Sequence, residues 1–340
     1  MFFPETYIGA LLLMFLTMLC WGSWANTLKL CPGYRFQLFY WDYALGLAGG
    51  TIFWGLTAGS HGHTGTAFLA DIVQAPIASI LFAAICGVIF NIANLLLVAA
   101  IEVAGLAVAF PVGIGLALIV GAVSSYLVRP VGNPLLLFGG VALVTIAILF
   151  DASAYRQRES KAKSKAKSEE KINPTRGIVL SLVAGVLMGT FYPLVAAALR
   201  GAQGVPPVGP YAVALFFAAG VLLSTIPANL FLMFKPLDGK PPVKLSEYMP
   251  APFSWHLAGL LGGAIWATGA ISNFVASGAN LVGPAVSYSI GQGATMVSAC
   301  WGVFVWREFA GAPKAAHRAL LYMFIFFALG LVAVALAPLY

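Results

Sequence analysis

The sequence predicts an all-α membrane protein of ten transmembrane helices, arranged as two inverted five-helix repeats. Three observations carry this reading. Of 340 residues, 61% are hydrophobic and only 9% charged, whereas a soluble domain carries about 25% charge; the mean hydropathy is +0.93. One long polar run, residues 151–176, divides the apolar remainder in two. Each part also carries the same glycine spacing, "GLAVAFPVGIG" from Gly105 to Gly115 and "GPAVSYSIGQG" from Gly283 to Gly293.

A bilayer-crossing helix needs about 20 mostly apolar residues. Ten stretches qualify: Tyr7–Leu28, Phe39–Thr57, Pro76–Ala99, Ala104–Leu127, Leu135–Phe150, Gly177–Leu199, Pro210–Phe234, His256–Ser277, Leu281–Val305 and Arg318–Pro338. The third and fourth nearly abut, as do the eighth and ninth, which predicts two tight helical hairpins. No Lys or Arg precedes Lys29, so the first stretch is expected to remain as a span and not to be cleaved as a secretory leader. The 37 glycines fit close helix packing in lipid.

The polar run "DASAYRQRESKAKSKAKSEEKINPTR" holds eight basic and four acidic residues. It has too few apolar residues to bury a core and reads as a flexible or loosely helical linker. The expected organisation is a first repeat over 1–150, the linker over 151–176, and a second repeat over 177–340. Cytoplasmic loops carry the excess of Lys and Arg. With the linker cytoplasmic and both termini outside, 16 of the 18 basic residues are cytoplasmic and only Arg129 and Arg200 lie outside. The net charge of +7 is therefore a topology signal and does not point to nucleic acid. A multi-pass protein of the cell membrane (plasma or inner) is expected.

Five spans per half is an odd number, so the second half must enter the membrane from the opposite side. An offset of 178 residues lays the fourth span on the ninth and pairs Ala109 with Ser287, Phe110 with Tyr288, Pro111 with Ser289 and Ile114 with Gln292. A weaker match at offset 167 sets Trp21-Gly22-Ser23-Trp24 against Met188-Gly189-Thr190-Phe191. Inverted halves are a transporter architecture with the solute site near the midplane between repeats. Positions where the repeat turns polar are where a ligand is expected.

The segments "CWGSWANTLKL", "FQLFYWDYALGL", "AGLAVAFPVGIGLALIVG" and "SYSIGQGATMVSACWGVFVWREF" resemble the ureide permease family, of the drug/metabolite transporter superfamily. They are similar, more distantly, to bacterial glucose/ribose and rhamnose uptake proteins. The likeness runs from the first span to the last, and "WGVFVWREF" is its most specific part. It implies proton-linked uptake of small heterocyclic solutes such as allantoin or nucleobases. Plant members have a longer central cytoplasmic domain with a phosphate-loop-like motif. The linker here lacks GxxxxGK[ST], so no nucleotide is expected.

Polar side chains at membrane depth are functional candidates. Asn91 and Asn94 share a helix face, and their amides suit an uncharged heterocycle or sugar, though Asn also ties helices together. Tyr288 and Gln292, four apart, offer stacking and edge hydrogen bonds, with helix packing as the alternative. Phe110 would form the opposite wall, and Pro111 is expected to kink its helix. Trp266 and Asn273 share one face; Trp21 is a stacking candidate, and Trp24 fits an interfacial belt as well.

Carboxylates are scarce. Asp42, among Tyr40, Trp41 and Tyr43, and Glu102, at the turn between the third and fourth spans, are the two placed to couple transport to protons; surface placement is the alternative for each. His61 and His63 form an HxH in an outer loop, a weak metal signal, and the four cysteines lack CxxC spacing, so neither a metal nor a disulfide framework is expected. No GxSxG, HExxH or paired-carboxylate pattern lies in the spans, so an intramembrane enzyme is not expected. The expectation is a cofactor-free secondary transporter importing a small uncharged polar solute with protons by alternating access. A sugar carrier and a drug or metabolite exporter are the alternatives.

Overall fold

The computed structural model describes residues 1–165, 174–201, 206–237 and 239–340, and within them it is helical throughout, without a strand. In chain order the helices are α1 (Tyr7–Ser23), α2 (Phe36–Leu56), the short α3 (Phe68–Gln74), α4 (Ile77–Ala104), α5 (Leu106–Val128), α6 (Pro134–Lys165), α7 (Pro174–Arg200), α8 (Pro210–Phe234), α9 (Phe253–Gly278), α10 (Pro284–Gly291), α11 (Ala294–Cys300) and α12 (Lys314–Leu336). Eight of them, all but α2, α3, α10 and α11, are long and apolar enough to cross a membrane.

The two other expected spans differ for separate reasons. α2 is a 21-residue helix, but Gln37, Asp42 and four glycines dilute its apolar content. The ninth stretch is broken. Gln292 still donates its N–H to Tyr288 O four residues back, but the Gly293 N–H turns to Ile290 O, three back. The helix resumes as α11 and ends in a π-turn over Trp301–Val305. Gly291 and Gly293 flank the break, and glycine is among the poorest helix formers. By contrast, Pro111 sits inside one continuous α5.

Other boundaries follow local rules. Thr6 caps α1 by accepting from the Gly9 N–H. Pro210 and Pro284 open α8 and α10, where a missing N–H costs nothing. The hairpin between α4 and α5 is a single residue, Gly105, at φ +80°, a conformation that needs glycine. α6 continues past Phe150 to Lys165, so the first part of the expected linker is helical; residues 166–173 lie outside the described residues.

Glycines set how the helices cross, because small residues let backbones approach. α1 meets α11 where Gly22 lies against Ala294 and Val297, and α7 meets α5 where Gly189 lies against Ala117 and Val120. α2 and α9 approach through Gly46 on Leu260 and Gly263 on Tyr43; α4 and α8 do so through Gly87 on Phe217 and Gly220 on Ala84. α6 and α12 meet at Gly140 and Gly330, each against the other. A side chain at any of these positions would push two backbones apart.

The two ends of the bundle are fastened differently. Past the end of α9, Asn280 Oδ1 accepts from Arg129 at 2.7 Å and from Arg200 at 3.0 Å, and Arg200 also donates to Ser277 O at 2.6 Å. At the other end the "WGVFVWREF" segment is tied to the end of α1. Trp301 Nε1 donates to Ser23 Oγ at 2.8 Å, Trp306 Nε1 to Asn26 Oδ1 at 2.6 Å, and Glu308 pairs with Lys29 and with Arg158 of α6.

Candidate solute-binding site

A central cavity of about 340 Å³ opens between α1, α2, α4, α5, α7, α9 and α11. That volume is in the range of small-molecule pockets. Its lining takes the last turns of the first span (Trp21, Trp24, Leu28) and the first turn of α2 (Phe36, Phe39), so it lies toward the end where the chain passes from α1 to α2.

The walls are aromatic. Trp21 stacks on Trp266 with ring centroids 5.7 Å apart and 18° between planes. Phe90 lies 4.4 Å from Trp266, and the buried Phe217 stacks behind it at 5.7 Å and 7°. The polar groups on the lining are few: Asn94 from α4, then Gln292, Thr295 and Ser298 along one face of the broken segment. Such a lining suits a flat, uncharged molecule with hydrogen-bonding edges.

Of the residues expected at the site, the cavity brings together Trp21, Asn94, Phe110, Trp266 and Gln292. Asn91, Asn273 and Tyr288 do not line it. Asn91 is fully buried, donating to Ser224 Oγ and accepting from the Tyr40 hydroxyl. Asn273 ties α9 to α10 by donating to Ser287 O and accepting from Ser287 Oγ at 3.1 Å each. Tyr288 is fully buried against Gly121, and its hydroxyl donates to Ala117 O at 3.1 Å. Both members of three sequence-matched pairs line the cavity: Trp21 with Met188, Trp24 with Phe191, and Ile114 with Gln292.

Asp42 lies outside the cavity, buried between α2 and α9 where Gly259 leaves room for it. It accepts from the Tyr248 hydroxyl, and His256 Nδ1 sits 2.8 Å from Oδ2. Burial first, then the hydrogen bond and charge of Asp42, hold the Tyr248 phenol above its ordinary range, so that hydroxyl stays a donor. Glu102 sits in the last turn of α4, half-buried, next to Ile101 of the cavity lining.

Sequence reasoning missed Phe90, Thr295, Ser298, Tyr248 and His256. The first three had a signal: Phe90 is four residues before Asn94, and Thr295 and Ser298 follow Gln292 at helical spacing. Tyr248 had none, since its approach to Asp42 spans 206 residues of chain. Among the described residues no cluster of three or more metal-ligating side chains occurs.

Comparison with known proteins finds relatives that match along nearly the whole chain. Ureide permease 1 of Arabidopsis thaliana is 22% identical over 381 residues, covering 96% of this chain and 96% of its own length. Ureide permease 2 of the same plant is 22% identical, covering 99% of this chain and 98% of its own length. A solved structure titled only as the crystal structure of a protein superposes with a TM-score of 0.58 at 17% identity, covering 96% of this chain and 98% of that one; it speaks to the fold alone. The ureide permease likeness thus holds at full length, and the relatives are permeases, not enzymes. The family model described as Sugar transport protein matches residues 54–337, and the chain belongs to that family of membrane transporters for small solutes.

Proposed function

We propose that the chain is a ten-span carrier of two inverted five-helix repeats, importing a small, uncharged, polar, ureide- or nucleobase-like solute by alternating access with protons. The observation that carries the solute class is the cavity wall: stacked Trp21 and Trp266 beside the amides of Asn94 and Gln292. A flat ring with amide edges matches it. A sugar is the second reading, favoured by the family's description. A sugar's several hydroxyls would call for more polar partners than the lining offers.

The glycine crossings support the repeats. If α1 corresponds to α7 and α5 to the α10–α11 segment, the α1–α11 and α7–α5 contacts exchange under the repeat. So do the α2–α9 and α4–α8 contacts, while α6–α12 maps onto itself. The basic-residue count supports a cytoplasmic linker, both termini outside, and a cavity facing the cytoplasm. The two basic residues left outside, Arg129 and Arg200, have a structural use in holding Asn280. Asp42, flanked by His256 and Tyr248 on the α2–α9 contact, is our proton-coupling group; both helices also supply cavity walls.

A thermal-shift panel of ureides, nucleobases and sugars on the purified protein tests the solute class, since a binder raises the melting point by mass action. Stabilisation by sugars alone would reverse the order of the two readings. For coupling, Asp42→Asn should still exchange labelled solute across vesicles but lose accumulation driven by a pH gradient. Should Glu102→Gln show that split instead, Glu102 is the coupling group. If both variants keep gradient-driven accumulation, no proton is coupled through either.

A further inference from the structure

We propose that Ser224, Asn91 and Tyr40 are positioning residues that fix the polarity of the amide Asn94 presents to the cavity, so that the solute must donate a hydrogen there. This rests on the cavity being the solute site. The argument starts at a backbone carbonyl of α8. Gly220 O can only accept, so Ser224 Oγ, 2.7 Å away, directs its one hydrogen to it. Toward Asn91, 2.9 Å away, Ser224 can then only accept, which requires the nitrogen of Asn91 on that side. The Asn91 oxygen therefore faces Tyr40, and the Tyr40 hydroxyl must donate to it, at 2.8 Å.

With that hydrogen committed, the Tyr40 oxygen can only accept, and the Asn94 atom 3.1 Å from it must be nitrogen. The Asn94 oxygen remains. Asn94 lines the cavity, and its Oδ1 has no hydrogen-bond partner among the described residues. Tyr40 and Asn91 are fully buried, so water does not compete for the link between them. Thr225 Oγ1 lies 3.4 Å from Asn91 Oδ1 but is closer to Val221 O, at 2.8 Å, so it constrains the Asn91 amide less than Ser224 and Tyr40 do. Reversing one link would set donor against donor in a dry interior, which is costly.

Solvent-exposed amides turn freely, and Gln292 has no such chain behind it. Asn94 is held as an acceptor. The solute group opposite it must therefore carry N–H or O–H, and Gln292 accommodates either polarity on its own side. An unsubstituted imide or ureide edge meets this requirement; a fully N-alkylated one does not.

The test uses the whole purified protein and two probe pairs: uracil with 1,3-dimethyluracil, and hydantoin with 1,3-dimethylhydantoin. Binding is read by thermal shift and tryptophan fluorescence. The parent should prefer the N–H member of at least one pair by about tenfold or more. Tyr40→Phe should reduce that preference to within about threefold, because the Asn94 amide can then turn its nitrogen inward. The buried Tyr40 ring does not touch the cavity, so the room for a methyl group is unchanged. Ser224→Ala removes the start of the chain while keeping the ring, and should weaken the preference in the same direction. No preference for an N–H member in either pair would overturn the proposal. So would an unchanged preference in a folded Tyr40→Phe or Ser224→Ala protein. Gln292→Ala separates the two claims: it should weaken both members of a pair. If it weakens neither, the cavity is not the solute site and the proposal falls with it.

Discussion

Gly22 and Gly189 do the same work in the two halves, yet the helices they pack against are built differently. Gly189 of α7 lies on α5, one continuous helix through "GLAVAFPVGIG"; Gly22 of α1 lies on α11, beyond the break in "GPAVSYSIGQG". The packing side of the match is kept and the cavity side is not. At Ile114 the continuous helix gives the cavity an apolar wall. At the matched Gln292 the broken one supplies an amide, just where backbone hydrogen bonding loosens. A break that exposes backbone and side-chain polarity at membrane depth is tolerated where it borders a cavity. The comparison teaches that glycines conserve the crossing while the residues between them divide the roles.

The strongest way to break this comparison is to crowd the shared crossings. Gly22→Val and Gly189→Val should each lower stability by about 3 kcal/mol, by overpacking against backbone. The detergent melting midpoint checks it, and a variant that melts like the parent would remove that glycine from the account. Next in size is the polar wall. Gln292→Ala should cost about 2 kcal/mol of solute affinity, roughly thirtyfold in Kd. Ile114→Ala should stay within about threefold.

The Phe110 and Tyr288 pair sharpens the contrast further. Phe110 lines the cavity and Tyr288 is in the core. Phe110→Leu should weaken binding of a flat solute by about 1 kcal/mol with little change in melting. Tyr288→Phe should do the reverse, losing about 1 kcal/mol of stability from the bond to Ala117 O and leaving affinity alone. Equal effects of both changes on affinity would erase the distinction.

Much of this was legible in the sequence because lipid imposes it. Apolar run lengths marked the helices, the repeat pointed to Gln292, and stacking potential pointed to Trp21; both line the cavity. The pattern failed where its two uses coincide. Tyr288 breaks the repeat as clearly as Gln292 does, but one helical turn earlier, where its ring fills the space left by Gly121. A side chain chosen for packing and one chosen for a ligand look alike until depth along the helix is known. The break at Gln292 was also hidden, since Gly291 and Gly293 read equally well as packing glycines. His256 and Tyr248 reach Asp42 only through the α2–α9 crossing, a contact that one sequence does not record.

The central claim is that the aromatic cavity holds the transported solute, and cysteine protection tests it most directly. In a background with Cys20, Cys31, Cys86 and Cys300 replaced by serine, Ser298→Cys places a thiol on the lining, and Leu257→Cys places one on the exposed outer surface of α9. Both are modified with a small maleimide, with and without the most stabilising compound of the thermal-shift panel. The account predicts that the compound slows modification at 298 by about tenfold at a concentration ten times its Kd and leaves 257 unchanged. Equal rates at 298 with and without a compound that demonstrably binds would place the solute elsewhere and contradict it.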